Sequence, residues 1–168
     1  VASLYKLFEK TTKRQSELTV VIDSIRQLQG HGDDPDYFVE VGIGEVWFRN
    51  EGNQTDDTCT GCMADVGWAF ARQVGLEGTT SVKIALWDED EEPNDDDPSD
   101  IYTDPDTEER RLFLTVDLVG CMGGAANAVW GDLTGACGVQ LTSAGDDDPD
   151  RSQIWFRILA PNAPPTAD

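Results

Sequence analysis

The sequence predicts an all-β protein, an antiparallel β-sandwich of eight strands. Three observations support this fold class. Apolar and β-branched runs of ordinary strand length recur along the chain, Gly, Pro, Asn and Asp residues separate them, and helical periodicity is weak after residue 15. With 168 residues, the chain is long enough for one domain with a full core and too short for two comfortable ones.

The chain divides into three segments. Residues 1–16 carry an apolar face and several basic residues, which predicts a short helix or ordered arm; we interpret it as a linker helix, with a membrane or partner contact as the alternative. The sandwich spans residues 17–159, and residues 160–168 form a Pro-rich linker or tail. The predicted strands are residues 18–25, 37–43, 45–49, 66–72, 81–87, 111–118, 138–142 and 153–159. Because the chain starts at Val1, we expect it to be processed or excised from a larger protein.

The charge of the chain is strongly negative. The formal net charge is -21, from 33 acidic and 12 basic residues. This argues against nucleic acid as a partner, since phosphate binding needs a basic face, and against unaided attraction to anionic lipids. Two explanations remain, namely specific cation sites or adaptation of the whole surface to a salty or extracellular medium.

The four cysteines predict an oxidising compartment, because an even count in an acidic, apparently excised domain suggests disulfides. Cys121 and Cys137 bracket one loop and are expected to close it with a bridge. Cys59 and Cys62 have CxxC spacing, and a bridge between them would span a tight turn. A free thiol or a metal site therefore stays an alternative for this pair.

The acidic residues are concentrated in particular loops. If successive strands run antiparallel, the loops after the first, third, fifth and seventh strands share one end of the sandwich. These loops contain residues 33–36, 56–65, 88–106 and 146–150, whereas the loops at the other end are nearly neutral. General adaptation would spread acid over the surface, so this concentration favours cation binding.

Three stretches carry a resemblance to a known family. Residues 18–28 look like an opening strand and its turn, residues 36–41 are an Asp-led second strand, and Trp87-Asp88-Glu89-Asp90 is a Trp-Asp-x-Asp strand end followed by Asp96. With these motifs the chain resembles the C2 domain family, Greek-key sandwiches that bind Ca²⁺ in loops at one end and often dock on phospholipid.

The resemblance implies a set of Ca²⁺ ligands. Carried over residue by residue, it indicates Asp36, Asp88, Asp90 and Asp96. The family's other first-loop aspartate would fall near Gly30, so Asp33 or Asp34 would have to substitute for it. Asp88 and Asp90 are two residues apart at a strand end, which lets both carboxylates face the same way. The long third loop lacks basic and apolar residues at its tip, so Ca²⁺ binding is better supported than lipid binding.

These observations lead to one function and its alternative. The predicted function is a non-catalytic, Ca²⁺-binding module of a larger secreted or cell-surface protein, which mediates Ca²⁺-dependent attachment to a phospholipid membrane or a protein partner. The alternative is a structural or protein-interaction sandwich whose acidity is halophilic or solubilising, without a metal site. An enzyme is disfavoured because His31 is the only histidine. The aromatic residues in the strands are interpreted as core, although Trp47 or Trp130, if exposed, would suit carbohydrate.

Overall fold

The computed structural model describes residues 14–29, 36–50, 55, 61–89, 96–102, 110–146 and 150–161. Within these residues ten strands and one short helix form two antiparallel sheets, so the predicted all-β sandwich is confirmed. The elements are β1 (Gln15–Gln27), β2 (Tyr37–Ile43), β3 (Val46–Arg49), β4 (Met63–Gly75), β5 (Thr80–Asp88), β6 (Asp97–Ser99), β7 (Leu112–Val116), α1 (Leu118–Met122), β8 (Val129–Gly131), β9 (Leu141–Ala144) and β10 (Ser152–Leu159).

The two sheets pack face to face. Sheet A has the strand order β4-β1-β10-β9, and sheet B has the order β3-β2-β5-β7-β8, with β6 paired to β5. Each of the eight predicted strands overlaps an observed one, and β6 and β8 are additional strands of three residues each. The N-terminal arm lies outside the described residues up to residue 13, and β1 begins at Gln15, two residues before the predicted start of the sandwich.

The core lies between the sheets, because alternate residues of each strand point inward. Leu18, Val20 and Ile22 on β1 and Val39 and Val41 on β2 are fully buried. The intervening side chains of β1 are partly or fully exposed. Burial of one such aliphatic side chain contributes about 1.5–3 kcal/mol.

The pairing of β1 with both neighbours is irregular between Ile22 and Ser24. Against β10, Ile22 pairs with Phe156 and Ser24 with Trp155, so Asp23 is the extra residue of a β-bulge. Against β4, Ile22 pairs with Trp68 and Ser24 with Asp65, so the extra residue lies on β4. Arg157 Nη2 donates to Asp23 Oδ1 at 2.6 Å. Burial acts to raise the pKa of Asp23, but the hydrogen bonds from Arg157 and Gln140 and the charge of Arg157 outweigh it, so this pKa is lowered.

A disulfide fixes the segment that connects sheet B to β9. The predicted Cys121–Cys137 bond is confirmed, with the two Cα atoms 5.1 Å apart. The bond joins α1, a helix too short for helical periodicity to reveal, to the chain just before β9. Cys62 is also disulfide-bonded, so the free-thiol and metal alternatives are wrong for Cys62; Cys59 lies outside the described residues.

Four of the seven strand aromatics predicted to form the core do so, whereas Trp87 and Trp155 are half-buried and do not belong to the core cluster. Phe70 and Phe156 are buried, and Phe48 and Trp68 pack against the core. Trp47, in contrast, is 46% exposed, because it lies on β3 at the edge of sheet B and points away from the core. The prediction of a buried Trp47 is therefore wrong.

Among the described residues, no helix has the length and apolar character needed to cross a membrane.

Candidate functional site

The described ends of the acidic loops meet at one end of the sandwich, which we call the acidic end (the described residues Asp36, Asp88, Asp96, Asp146 and Asp150). In sheet B, the start of β2 pairs with the end of β5 through Tyr37 and Asp88. In sheet A, the end of β1 pairs with the start of β10 through Gln27 and Ser152. An isolated bridge between Asp100 and Arg151 joins the third acidic loop to the fourth.

Asp65 is an exception to the predicted distribution of acid. It lies inside β4, opposite Ser24 of β1, rather than in the loop that precedes this strand. Its Oδ1 accepts a hydrogen bond of 2.7 Å from Ser24 Oγ. Asp65 therefore belongs to the pairing of β1 with β4.

Two of the predicted ligands, Asp36 and Asp88, lie side by side. The backbone N–H of Asp36 donates to Asp88 Oδ1 at 3.0 Å. The backbone N–H of Glu89 in turn donates to the carbonyl of Asp36 at 3.0 Å. These two bonds continue the pairing of β2 with β5 beyond the last strand residues. They hold the first and third acidic loops together at their bases.

The third predicted ligand that lies within the described residues, Asp96, pairs with a cation of the protein. Arg49 Nη2 donates to Asp96 Oδ2 at 2.7 Å, and Arg49 Nη1 lies 3.6 Å from Glu40 Oε1. The Arg49 guanidinium also lies over the Phe38 ring, 4.4 Å from its centroid, and Phe38 stacks on Trp87. Arg49 thus attaches the start of β6 to the outer face of sheet B.

The remaining predicted ligands, Asp33, Asp34 and Asp90, lie outside the described residues. Within the ranges that are described, no group of three or more His, Cys, Asp or Glu side chains is placed to hold a metal ion. The described residues therefore supply a pair of neighbouring aspartates, Asp36 and Asp88, rather than a complete ligand set.

A network of buried hydroxyl groups underlies the acidic end and crosses between the sheets. The Tyr37 hydroxyl and Ser152 Oγ are 2.8 Å apart, and Ser152 Oγ is 2.7 Å from Ser99 Oγ. Ser99 Oγ also donates to the carbonyl of Asp150 at 2.9 Å. Burial raises the pKa of Tyr37 to about 12, and the charges of Asp88 and Asp150 act in the same direction against the hydrogen bonds from Ser152 and Ser99. Tyr37 therefore stays protonated beneath the acidic loops.

Asp100 holds the third acidic loop against sheet A. Its side chain is completely buried, its N–H donates to the carbonyl of Asp150 at 2.9 Å, and its carbonyl accepts from Ser152 N–H at 2.8 Å. Gly145 packs directly on it, because a Cβ at position 145 would lie 2.3 Å from the Asp100 carbonyl oxygen and 2.5 Å from its carboxylate. Ser99, Asp100 and Arg49 were not among the predicted site residues; a Ser-Asp pair within an otherwise charged loop was the available signal for the first two.

Comparisons with known proteins agree with this architecture. No family model matches the chain, and no curated protein matches it by sequence. Among solved structures, the C2A and C2B domains of Extended-Synaptotagmin 2 match with a TM-score of 0.57, 15% identity, and coverage of 95% of this chain and 46% of that one. A calcium-bound structure of the same domains matches with a TM-score of 0.51, 15% identity, and coverage of 86% and 45%.

A human enzyme structure also matches. Human GIVD cytosolic phospholipase A2, in complex with an inhibitor and terbium chloride, has a TM-score of 0.54 and 14% identity, over 88% of this chain and 18% of the enzyme chain. The chain thus spans less than half the length of these solved chains. At such low identity the likeness concerns the fold, and together with the strand order and the motifs around Asp36 and Asp88 it leads to one conclusion. The chain folds as a divergent C2-like β-sandwich.

Proposed function

We propose that the chain is a non-catalytic, Ca²⁺-binding C2-like module of a larger secreted or cell-surface protein. It attaches that protein, in a Ca²⁺-dependent way, to a membrane or a protein partner. The observation that carries the proposal is the juxtaposition of Asp36 and Asp88 at the bases of two acidic loops. The likeness to a calcium-bound C2 structure supports it.

The chemistry of the acidic end suits Ca²⁺. This ion takes about six to eight oxygen ligands, mainly carboxylates and backbone carbonyls. Asp36 and Asp88, joined by a hydrogen bond from the Asp36 backbone to the Asp88 carboxylate, each carry a carboxylate, and Asp34 lies two residues before Asp36 and Asp90 two residues after Asp88. Asp33 and Asp96 complete the proposed ligand set. Binding would also relieve the mutual repulsion of the acidic loops in a chain of net charge -21.

Secretion is supported by the disulfides. Cys121 and Cys137 are bonded to each other, and Cys62 is bonded as well. Disulfides of this kind persist in oxidising compartments, where millimolar Ca²⁺ sites of extracellular modules are also found.

A second candidate function rests on Arg49. Because the Asp96 carboxylate pairs with Arg49 at 2.7 Å, one predicted ligand already has a counter-ion within the protein. This observation favours a structural or protein-interaction sandwich whose acidic end is neutralised in part by its own arginines. Such a protein is stabilised by monovalent salt without a Ca²⁺-specific effect.

Calorimetric titration separates the two candidates. Protein freed of metal with a chelator is titrated with CaCl₂ at fixed ionic strength, alongside the double variant Asp88→Asn with Asp90→Asn. The matched control is Glu17→Gln with Glu77→Gln, which removes two exposed charges far from the acidic end. We expect saturable Ca²⁺ binding in the wild type and the control and its loss in the aspartate variant. Equal binding by all three, or none by the wild type, contradicts the proposal.

Attachment is tested separately from metal binding. Co-sedimentation with phosphatidylserine-containing vesicles, in Ca²⁺ and in chelator, tests whether the protein attaches to a membrane. We expect Ca²⁺-dependent sedimentation if the partner is a lipid surface. Ca²⁺ uptake without sedimentation assigns the attachment to a protein partner.

A further inference from the structure

The outer face of sheet B carries a second set of side chains, distinct from the acidic end. Trp47 on β3 and Trp130 on β8 are 46% and 39% exposed and lie on the two edge strands of the sheet. Lys83 on β5 and Phe113 on β7 lie between them, directly opposite each other in the register. We call Trp47, Lys83, Phe113, Thr115 and Trp130 the aromatic face.

Strand alternation places these residues on one side. The chain neighbours of Lys83, Phe113 and Thr115, namely Val82, Ile84, Leu114 and Val116, are buried between the sheets. In an antiparallel sheet adjacent residues point to opposite faces, so the aromatic face points away from the core. Thr115 lies directly opposite Trp130, two residues along β7 from Phe113.

The Trp47 indole lies against the backbone of the neighbouring strand. Its cross-strand partner is Gly42, and a Cβ at position 42 would contact three indole carbons at 3.3 Å each. The absence of a side chain at Gly42 therefore lets the ring approach the sheet. Lys83 Nζ lies 5.7 Å from the Trp47 ring centroid and 5.3 Å from that of Phe113, so a cation separates the two rings.

Trp130 is positioned by a rigid turn. Val129 and Gly135 exchange two backbone hydrogen bonds of 3.0 and 2.9 Å, which close a short hairpin around it. Gly131, with φ of +127°, packs against β7, where a Cβ would lie 2.4 Å from the Phe113 carbonyl oxygen. The Cys121–Cys137 bond fixes the chain just beyond the hairpin. These contacts hold Trp47 and Trp130 in place in the protein without a ligand, which lowers the entropic cost of binding.

We propose that the aromatic face binds a neutral polysaccharide chain. A pyranose ring has a flat C–H face, which packs on an indole or phenyl ring, and a rim of hydroxyl groups, which accept hydrogen bonds from Lys83 and exchange them with Thr115. The rings alternate with polar side chains, whereas a protein-docking core or a membrane-inserting surface is contiguously apolar.

The charges of the protein restrict the class of ligand that the aromatic face can bind. A net charge of -21 repels nucleic acids, anionic lipid surfaces and acidic glycans, and it also repels a second copy of the chain. The Lys83 ammonium disfavours a cationic ligand between Trp47 and Phe113. A neutral ligand that binds by stacking and hydrogen bonds is repelled neither by the negative net charge nor by Lys83.

The test uses the whole chain in chelator, so that its result is independent of Ca²⁺ binding. Cellohexaose, xylohexaose and mannohexaose are titrated calorimetrically, and hydroxyethyl cellulose and galactomannan are tested by affinity electrophoresis, with heparin as the charged comparator. We expect at least one neutral probe to bind and heparin not to bind. Trp47→Ala and Trp130→Ala should each weaken binding about tenfold.

Two control variants accompany the binding measurements. Met63→Ala removes an exposed apolar side chain from sheet A and should leave binding unchanged. Trp47→Phe keeps an aromatic ring and should retain part of the affinity. No binding of any neutral probe, heparin binding in their place, or binding that survives both tryptophan-to-alanine changes overturns the proposal.

Discussion

Arg49 Nη2 donates a hydrogen bond to Asp96 Oδ2 at 2.7 Å, so a carboxylate predicted to ligate Ca²⁺ is paired with a cation of the protein itself. The two side chains are 47 residues apart in the sequence and are 40% and 27% exposed. Such a partly exposed pair contributes on the order of 1 kcal/mol or less to stability. It nevertheless opposes the transfer of Asp96 to a metal ion.

Replacement of Arg49 by glutamine should therefore tighten Ca²⁺ binding. The change releases Asp96 and removes a positive charge beside the acidic end, and we expect a decrease in Kd of up to about fivefold. Calorimetry on Arg49→Gln and on Arg49→Gln with Asp96→Asn measures the effect. If Asp96 is a ligand, adding Asp96→Asn cancels the gain in Ca²⁺ affinity that Arg49→Gln produces. An unchanged Kd in both variants shows that Asp96 has only a structural role.

Substitution of Gly145 should damage the junction of the two sheets at the acidic end. A Cβ there would lie 2.3 Å from the Asp100 carbonyl oxygen, so Gly145→Ala forces a backbone shift. We expect a loss of about 1–3 kcal/mol in the free energy of unfolding, measured by urea denaturation. Gly75→Ala is the control, because a Cβ at that position meets nothing within 4 Å. Equal midpoints for the two variants would refute this packing argument.

Removal of the Cys121–Cys137 bond should destabilise the protein. The bond closes a loop with a sequence separation of 16, and a loop of this size corresponds to about 3 kcal/mol in the chain-entropy model. The double variant Cys121→Ser with Cys137→Ser should show this loss in urea denaturation. An unchanged midpoint would mean that the β8 hairpin is fixed by its hydrogen bonds alone.

Tyr37 should make stability depend on alkaline pH. Its pKa is raised from 10.0 to about 12 in the folded protein, mainly by burial. Because the folded pKa is the higher one, its contribution is fully present below pH 10 and is lost as the pH rises through 12. The shift corresponds to about 3 kcal/mol. Tyr37→Phe should therefore lose less stability than the wild type between pH 10 and pH 12, as followed by circular dichroism in urea; parallel curves would contradict the assignment.

The strands that the sequence predicts are those whose burial pattern is local. The alternation of β1 and β2 follows directly from Leu18, Val20, Val39 and Val41, which point to the core. The three-residue strands β6 and β8 were missed because they are defined by pairing with β5 and β7 rather than by their own composition. Helix α1 has five residues, too few for a periodic signal.

The site was predictable only where motif and strand end coincide. Asp36 and Asp88 come together because Asp88, the last residue of β5, pairs with Tyr37, the residue that follows Asp36. The Arg49–Asp96 pair and the Tyr37–Ser152–Ser99 hydroxyl network join residues far apart in the chain, so no local sequence pattern indicates them. The exposure of Trp47 was mispredicted because the position of β3 at a sheet edge depends on the strand order.

Terbium luminescence tests the central claim, a cation site at the acidic end, most directly. Tb³⁺ replaces Ca²⁺ at oxygen-rich sites and emits when a nearby tryptophan transfers energy to it, and Trp87 immediately precedes Asp88. We predict sensitised emission that Ca²⁺ displaces, that Trp87→Phe strongly reduces, and that Trp47→Phe and Trp130→Phe leave intact. Emission that is absent, that Ca²⁺ does not displace, or that falls equally in all three variants would contradict a Ca²⁺ site beside Asp88.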